Sequence, residues 1–440
     1  MSGKEKRKRP TLPRKLSLLD SGTRKVVRAL LSHASIKRLQ RIGQLGFVRP
    51  EYARDTRWDH LVASIDLLAE LLDVYRVPDQ SIVRHILAAL IFQHAGHAPF
   101  SNSLREVFAF QPSAGAEHPA DIYRSLLMVE EAERSESVFS QIGLSTFHIR
   151  ELLIGRSPWP SEPWVEGLLS GPLDLDRLTY VDADTEATDV GDSNAAIDVA
   201  RRLRFDRAAP DAVVERGAAD AVRRFIVQRT TLYAEVYLSS EKIACEVLAA
   251  ECLRLLWAEL PETGPPRTIE EFLSWDDAKI LKVLTIGRLA PNASERLRQL
   301  ARSLLDGGYF VASVGERLYG GSPGFLNIDE RLFQLRMQSL SDSDVRFVLS
   351  SELPKIVPFE FGRILEASRS HVASFEASNK EFLGLATALR RRPLVIAPES
   401  MINAVYELLN GQDLEMRSIK KIAGLTRRRA TSAVAATTSR

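Results

Sequence analysis

The sequence predicts an all-α fold, and three observations carry that prediction. Apolar residues recur at spacings of three and four: Ile65, Leu68, Leu72 and Tyr75 form one stripe, and Val83, Leu87, Leu90, His94 and His97 form another. Turn and cap residues such as Pro78-Asp79-Gln80-Ser81 punctuate the helical segments. Only residues 394–396 read as a short strand, inside a mixed segment that begins near residue 325.

Taken in order, residues 23–31 and 35–45 read as two short helices, with Ser35 as an N-cap. A longer helix begins near His60, and helices over 82–94, 123–133 and 146–154 follow. The run Ser157-Pro158-Trp159-Pro160 breaks the series before another short helical segment. Residues 174–198 are acidic and read as a functional loop flanked by helix ends. Residues 221–260 carry a single long helical pattern ended by Pro261, and helices over 276–289 and 293–305 continue the run. The organisation expected is a basic tail at 1–16, a main domain at 17–290, a mostly helical C-terminal region at 291–425 and a tail at 426–440.

With 440 residues the chain can bury a large core, and 45% hydrophobic with 26% charged residues is ordinary for a soluble globular protein. The net charge of +2 excludes neither acidic nor basic partners. The basic run Lys6-Arg7-Lys8-Arg9 and the trio Arg427-Arg428-Arg429 read as solvated tails, which would support at most a weak nucleic-acid contact. Cys245 and Cys252 lie two helical turns apart, ~10 Å, too far for a disulfide. No apolar run approaches the ~20 residues of a membrane span, and the basic N-terminus lacks a hydrophobic signal core, so a cytoplasmic protein is expected.

Residues 89–101 carry the chemistry. Gln93, His94 and His97 end two otherwise apolar stripes, where imidazole and amide groups project as a core should continue. A buried polar group without a partner costs ~1–3 kcal/mol, so something must satisfy them. Histidines in such a pocket favour a metal or an anionic substrate.

The segment Gly96-His97-Ala98-Pro99-Phe100-Ser101 resembles the second half of the signature of HD-domain phosphohydrolases, in the branch of dGTPases and dNTP triphosphohydrolases. That signature reads roughly His-Asp-x-Gly-His-x-Pro-Phe-Ser-His. Here its leading pair is Gln93-His94, and Asn102 stands for the closing histidine. Four further pieces match in order: Arg38-Leu39 with Gln44-Leu45-Gly46, Thr56-Arg57-Trp58-Asp59-His60, Asp174-Leu175-Asp176-Arg177-Leu178-Thr179-Tyr180, and Arg229 with Tyr233 and Tyr237. Together they span roughly residues 17–290.

The resemblance implies an all-α HD-domain fold with an α-rich C-terminal extension. It implies His60, Gln93, His94 and Asp176 as the metal set, for Mn, Fe, Zn or Ni, with Mg also admissible. His97 would serve the phosphate and His118 would act as a general acid, while Gln44, Arg57, Tyr180, Arg229, Tyr233 and Tyr237 would contact a deoxynucleotide. Taken alone, His94 is equally a ligand or a hydrogen-bonded residue of a relic core, and His118 a surface-loop histidine.

The activity implied is cleavage of a dNTP into deoxynucleoside and triphosphate, by a protein that assembles as a homo-oligomer. Some relatives deplete dNTPs during phage infection. Loss of the His-Asp pair supports an alternative, a catalytically degenerate HD protein that senses a nucleotide or serves as a scaffold. A nuclease role rests on the basic tails alone.

Overall fold

The computed structural model describes residues 12–48, 52, 55–108, 119–136, 139, 142–192, 194–204, 206, 210–314, 346–348, 364–367, 372–374, 394–408 and 414–418. His118 and both basic tails lie outside the described residues.

The described chain is predominantly helical. Helix α1 (Ser21–Ser32) is capped by Asp20, whose carboxylate accepts from the Gly22 and Thr23 amides. A four-residue α2 (Ala34–Lys37) and a 3-10 turn, Arg38–Arg41, follow. The helix expected over 35–45 stops there because its polar groups have other partners. The Arg38 side chain is buried and donates to the carbonyls of Trp275 (2.7 Å) and His97 (2.8 Å). The amides of Gly43 and Gln44 turn to Asp277 and to the Asp55 carbonyl instead of to the preceding turn.

Helices α3 (Arg57–Tyr75) and α4 (Gln80–Ala95) hold the centre. Thr56 and Asp59 form a reciprocal capping box at the start of α3, and Asp79 caps α4 through the Ser81 amide. Every residue of α4 from Ile82 to Phe92 except Arg84 is buried, against α1, α3, α5 (Ala120–Glu136) and α6 (Thr146–Leu153). Each fully buried Leu or Ile there contributes ~1.5–3 kcal/mol. Next come α7 (Trp164–Ser170), α8 (Leu175–Thr188) and α9 (Ala195–Ala200). The acidic stretch expected as a loop is therefore mostly helix. Asp182 accepts from the Ala196 and Ile197 amides at the start of α9, which absorbs part of its charge.

The single helix expected over 221–260 is two. Helix α10 (Ala219–Leu232) widens into a π-turn at Tyr233–Tyr237, Leu238 leaves helical geometry, and α11 (Ser240–Glu259) restarts. Helices α12 (Ile269–Leu273), α13 (Asp277–Leu289) and α14 (Glu295–Asp306) complete the bundle. One hydrophobic core runs from Leu16 through α1, α3, α4 and α11 to Leu305, and includes Tyr309, Val311, Leu394 and Ile396.

Strands supplement the helices. A short hairpin, β1 (Leu203–Arg204) and β2 (Ala212–Glu215), is extended in parallel by β5 (Ile364–Ala367), beside which β6 (Val372–Ser374) runs antiparallel. Ile364 is buried in a second core with Leu203, Val214 and Phe225. An antiparallel sheet orders β4 (Arg346–Val348), β7 (Leu394–Pro398), β3 (Tyr309–Val314) and β8 (Leu414–Ser418). The strand expected at 394–396 is thus the buried β7 at the middle of that sheet, followed by α15 (Ile402–Leu408). Among the described residues the C-terminal region contributes strands β3 to β8 beside α15, as the mixed character read from about residue 325 allows. Among the described residues, no helix is long and apolar enough to cross a membrane.

Candidate metal and phosphate site

Two helix caps place the first functional side chains. The Thr56–Asp59 capping box fixes the first turn of α3, so Arg57 opens the helix and His60 follows one turn later. Asp174 caps α8 by accepting from the Arg177 amide (2.7 Å), which places Asp176 in that helix's first turn. In the doublet read from sequence, the first aspartate thus supports the helix and the second faces His60.

His60, His94 and Asp176 converge. One ligand atom of each lies within 4.8 Å of the others, a grouping able to hold a metal ion. His60 Nε2 is 2.8 Å from Asp176 Oδ1, and the His60 and His94 rings meet edge to face at 4.9 Å. His94 is 1% exposed, and neither of its ring nitrogens has a hydrogen-bond partner among the described residues. A satisfied core histidine would spend at least one nitrogen on a backbone group, so the relic-core reading does not describe His94. Gln93, half-buried, precedes His94 on α4, and its amide brings no charge to the group.

Burial, reinforced by the neighbouring His60, pushes His94 down from its ordinary 6.5 to about 3, so the ring is neutral and its lone pair available to a metal. Burial opposes ionisation of Asp176, but the hydrogen bond with His60 and the surrounding His94 and Arg57 outweigh it and hold the carboxyl well below the usual carboxylate range. A third of that side chain is exposed to solvent. Imidazole donors beside a carboxylate suit a borderline divalent cation.

His97 stacks on His94 at 6.0 Å, and burial followed by the Arg57 charge holds it well below 6.5. Arg57 is buried, and its guanidinium donates to Ser101 Oγ (2.8 Å from Nε). Its neighbour Asp59 serves the capping box of α3. Burial lowers the Arg57 pKa while Asp176, Asp184 and Tyr237 oppose that, which puts these groups within electrostatic reach of one another.

The remaining substrate candidates form a connected polar wall. Tyr237 donates to Asp184 Oδ2 (2.6 Å), and its ring meets Tyr180 and Tyr233 edge to face. Arg229 donates to the Tyr180 hydroxyl (3.2 Å) and lies over the Tyr233 ring at 4.6 Å. The π-turn at Tyr233–Tyr237 sits in this wall, and such turns concentrate at functional sites. Gln44 is buried with its Oε1 unpartnered among the described residues. Asn102 is exposed, and Arg105 pairs with Asp121 at 3.6 Å.

Asp184, Arg124 and Asp277 escaped the sequence reading, and Ser101 and Arg38 entered it only as letters of matched motifs without a role. Asp184 stands four and eight residues after Tyr180 and Asp176 on one helix face, a spacing that could have disclosed it. Burial raises its carboxyl to about 6, against the lowering effect of the Tyr237 hydrogen bond. Ser101, Arg38, Arg124 and Asp277 have no such local signal. Arg38 and Arg124 are wholly buried, and their guanidiniums grip the carbonyls of His97 (2.8 Å) and Gly96 (2.6 Å) while lying over the Phe272 ring. They hold the turn that follows His94.

No family model matches the chain. The uncharacterized protein YwfO of Bacillus subtilis is 25% identical over 245 residues, 52% of this chain and 52% of its own length. An uncharacterized protein of Mycoplasma pneumoniae is 25% identical over 228 residues, 50% of this chain and 53% of its own. The chain spans about half the length of the curated relatives it matches. Two solved structures share the fold. One is a phosphohydrolase from Bacteroides thetaiotaomicron, with a TM-score of 0.62 and 19% identity over 84% of this chain and 95% of that one. The other is a hypothetical protein from Aquifex aeolicus, with a TM-score of 0.63 and 15% identity over 88% and 95%.

Proposed function

We propose that this protein is a metal-dependent phosphohydrolase of the HD type that cleaves deoxynucleoside triphosphates into deoxynucleoside and triphosphate. The observation that carries the proposal is the convergence of His60, His94 and Asp176, with both His94 nitrogens unspent in a buried position. A fold shared with a phosphohydrolase supports it. Those three residues would hold the metal, which when bound polarises a phosphate and lowers the pKa of a water.

The chain's own groups account for the rest. Arg57, buried and held by Ser101, supplies a fixed positive charge for a phosphate oxygen. His97 stays neutral until an anion arrives; a triphosphate beside it would offset the Arg57 charge and favour its protonation, as a proton donor to a leaving oxygen requires. Tyr180, Tyr233 and Tyr237 offer ring faces and edges, and Asp184 a carboxylate, to the sugar and base. Assembly as a homo-oligomer and a role in dNTP depletion belong to the same proposal.

Metal-reconstituted protein incubated with each dNTP should release inorganic triphosphate, and EDTA should abolish the release. Arg57→Ala should weaken triphosphate binding by ~10- to 100-fold, the worth of a charged hydrogen bond, with bound metal unchanged. Stoichiometric metal and nucleotide binding without turnover for any dNTP would install the alternative, a nucleotide sensor.

A further inference from the structure

Helix α13 begins with two aspartates, Asp276 and Asp277, but only the first serves the helix. Asp276 is the N-cap, accepting from the Lys279 amide (2.9 Å), and it also pairs with Arg41 (2.6 Å). Asp277 faces inward and is 2% exposed. Its Oδ1 accepts from the Phe100 amide (2.6 Å) and its Oδ2 from the Gly43 amide (2.9 Å). One buried carboxylate therefore joins two segments that are far apart in sequence, and both border the site. Burying a carboxylate costs several kcal/mol before compensation, so a charge kept here calls for a reason.

Both segments lead to Arg57. Gly43 bridges to Thr56, and the Arg57 amide donates to the Ile42 carbonyl (2.9 Å), so this side sets the Arg57 backbone. Phe100 and Ser101 are both left-handed, with φ of 54° and 57°, a conformation that costs ~1–3 kcal/mol for each non-glycine residue. That strained turn aims Ser101 Oγ at the Arg57 guanidinium. We infer that Asp277 is the positioning residue for Arg57: by tying the Gly43 and Phe100 amides together, it fixes both the backbone and the guanidinium of the phosphate anchor. The assignment rests on the phosphate role proposed for Arg57.

The test uses the full chain loaded with Mn²⁺, with inorganic triphosphate as the probe. Asp277→Asn keeps the shape but leaves one amide facing an NH₂ group that cannot accept. It should weaken triphosphate about tenfold, the loss of roughly one such interaction, with metal stoichiometry unchanged. A purely structural role would lower thermal stability without this selectivity. In an Arg57→Ala background the same change should have no further effect on triphosphate affinity, because the two act in one chain. Multiplying defects, or a folded Asp277→Asn protein with wild-type affinity, would overturn the assignment.

Phenylglyoxal labelling read by mass spectrometry supplies an arm that needs no ligand. Arg57 should label faster in Asp277→Asn than in the wild type, while Arg229 labels at its wild-type rate. If the wild type binds no triphosphate, the phosphohydrolase reading fails, and unchanged Arg57 labelling would separately sink the positioning role. Should Asp277→Asn not fold, Ser101→Gly relieves the left-handed strain and removes the hydroxyl further along the same chain. It should reproduce the faster Arg57 labelling and the weaker triphosphate binding; wild-type values for both would break the link.

Discussion

Replacing His94 with Leu is expected to abolish metal binding and turnover while making the metal-free protein more stable. His94 is 1% exposed and neither ring nitrogen has a partner among the described residues, so the folded protein bears an uncompensated desolvation cost. Leucine has a similar volume and no polar atoms. It should recover ~1–3 kcal/mol, the usual penalty of an unsatisfied buried group, and raise the melting temperature of EDTA-treated protein by a few degrees. With one of three converging donors gone, His60 and Asp176 alone should hold metal below stoichiometric levels. A residue that costs stability and is required for binding marks a functional site.

The pH dependence of that stability gap isolates the same group. His94 titrates near 6.5 when exposed and near 3 in the folded protein, where burial and His60 disfavour the charge. Between those values the unfolded chain holds a proton that the folded chain refuses. The protonation penalty on the folded state is therefore absent above pH 6.5 and grows as pH falls toward 3, so stability declines across that window. The leucine variant lacks this term, so its advantage over metal-free wild type should widen from pH 8 to pH 5 in urea titrations. Other buried groups, such as Asp184, titrate in both proteins and largely cancel. A wild type more stable than the leucine variant at every pH would show that the His94 nitrogens are satisfied without metal.

What the sequence discloses of this site follows from distance along the chain. The α4 stripe is a local periodicity, and it led directly to a buried helix ending at His94. That His60 and Asp176 join His94 was legible only by resemblance, because their helices come together through tertiary packing. Arg38 shows the converse. The sequence places it in a helix over 35–45, whereas long-range carbonyls at 95, 97 and 275 draw it inward and end the helix. Tyr233–Tyr237 kept its place on the expected face, but nothing in local propensity announces a π-turn. Asp277 reads as an ordinary helix-start aspartate, and its amide partners stand 177 and 234 residues away.

Gly96→Ala is expected to be the most destabilising single-methyl change near the site. The Gly96 φ is −74°, open to any residue. The left-handed positions fall instead on Phe100 and Ser101. Gly96 is needed for proximity: a Cβ there would lie 2.0 Å from the Asp121 carbonyl oxygen, 2.6 Å from Ser125 Oγ and 2.8 Å from the Ser125 amide nitrogen. Two of these are backbone atoms of α5, so no side-chain rotation relieves the overlap. Forcing α5 away also strains the Gly96 amide bond to Ser125 (3.0 Å) and the Arg124 bond to the Gly96 carbonyl (2.6 Å). Overpacking costs ~1–3 kcal/mol and each lost hydrogen bond ~1 kcal/mol, so the variant should lose ~3–5 kcal/mol and, with the turn displaced, part of its metal. Gly217→Ala is the contrast. Its φ is +85° and none of the described residues lies within 4 Å of the added methyl, so the backbone cost of ~1–2 kcal/mol is expected to dominate. Denaturation of both variants separates the two uses of glycine; a Gly96→Ala loss no larger than that of Gly217→Ala would mean that α4 and α5 do not pack this closely beside His97.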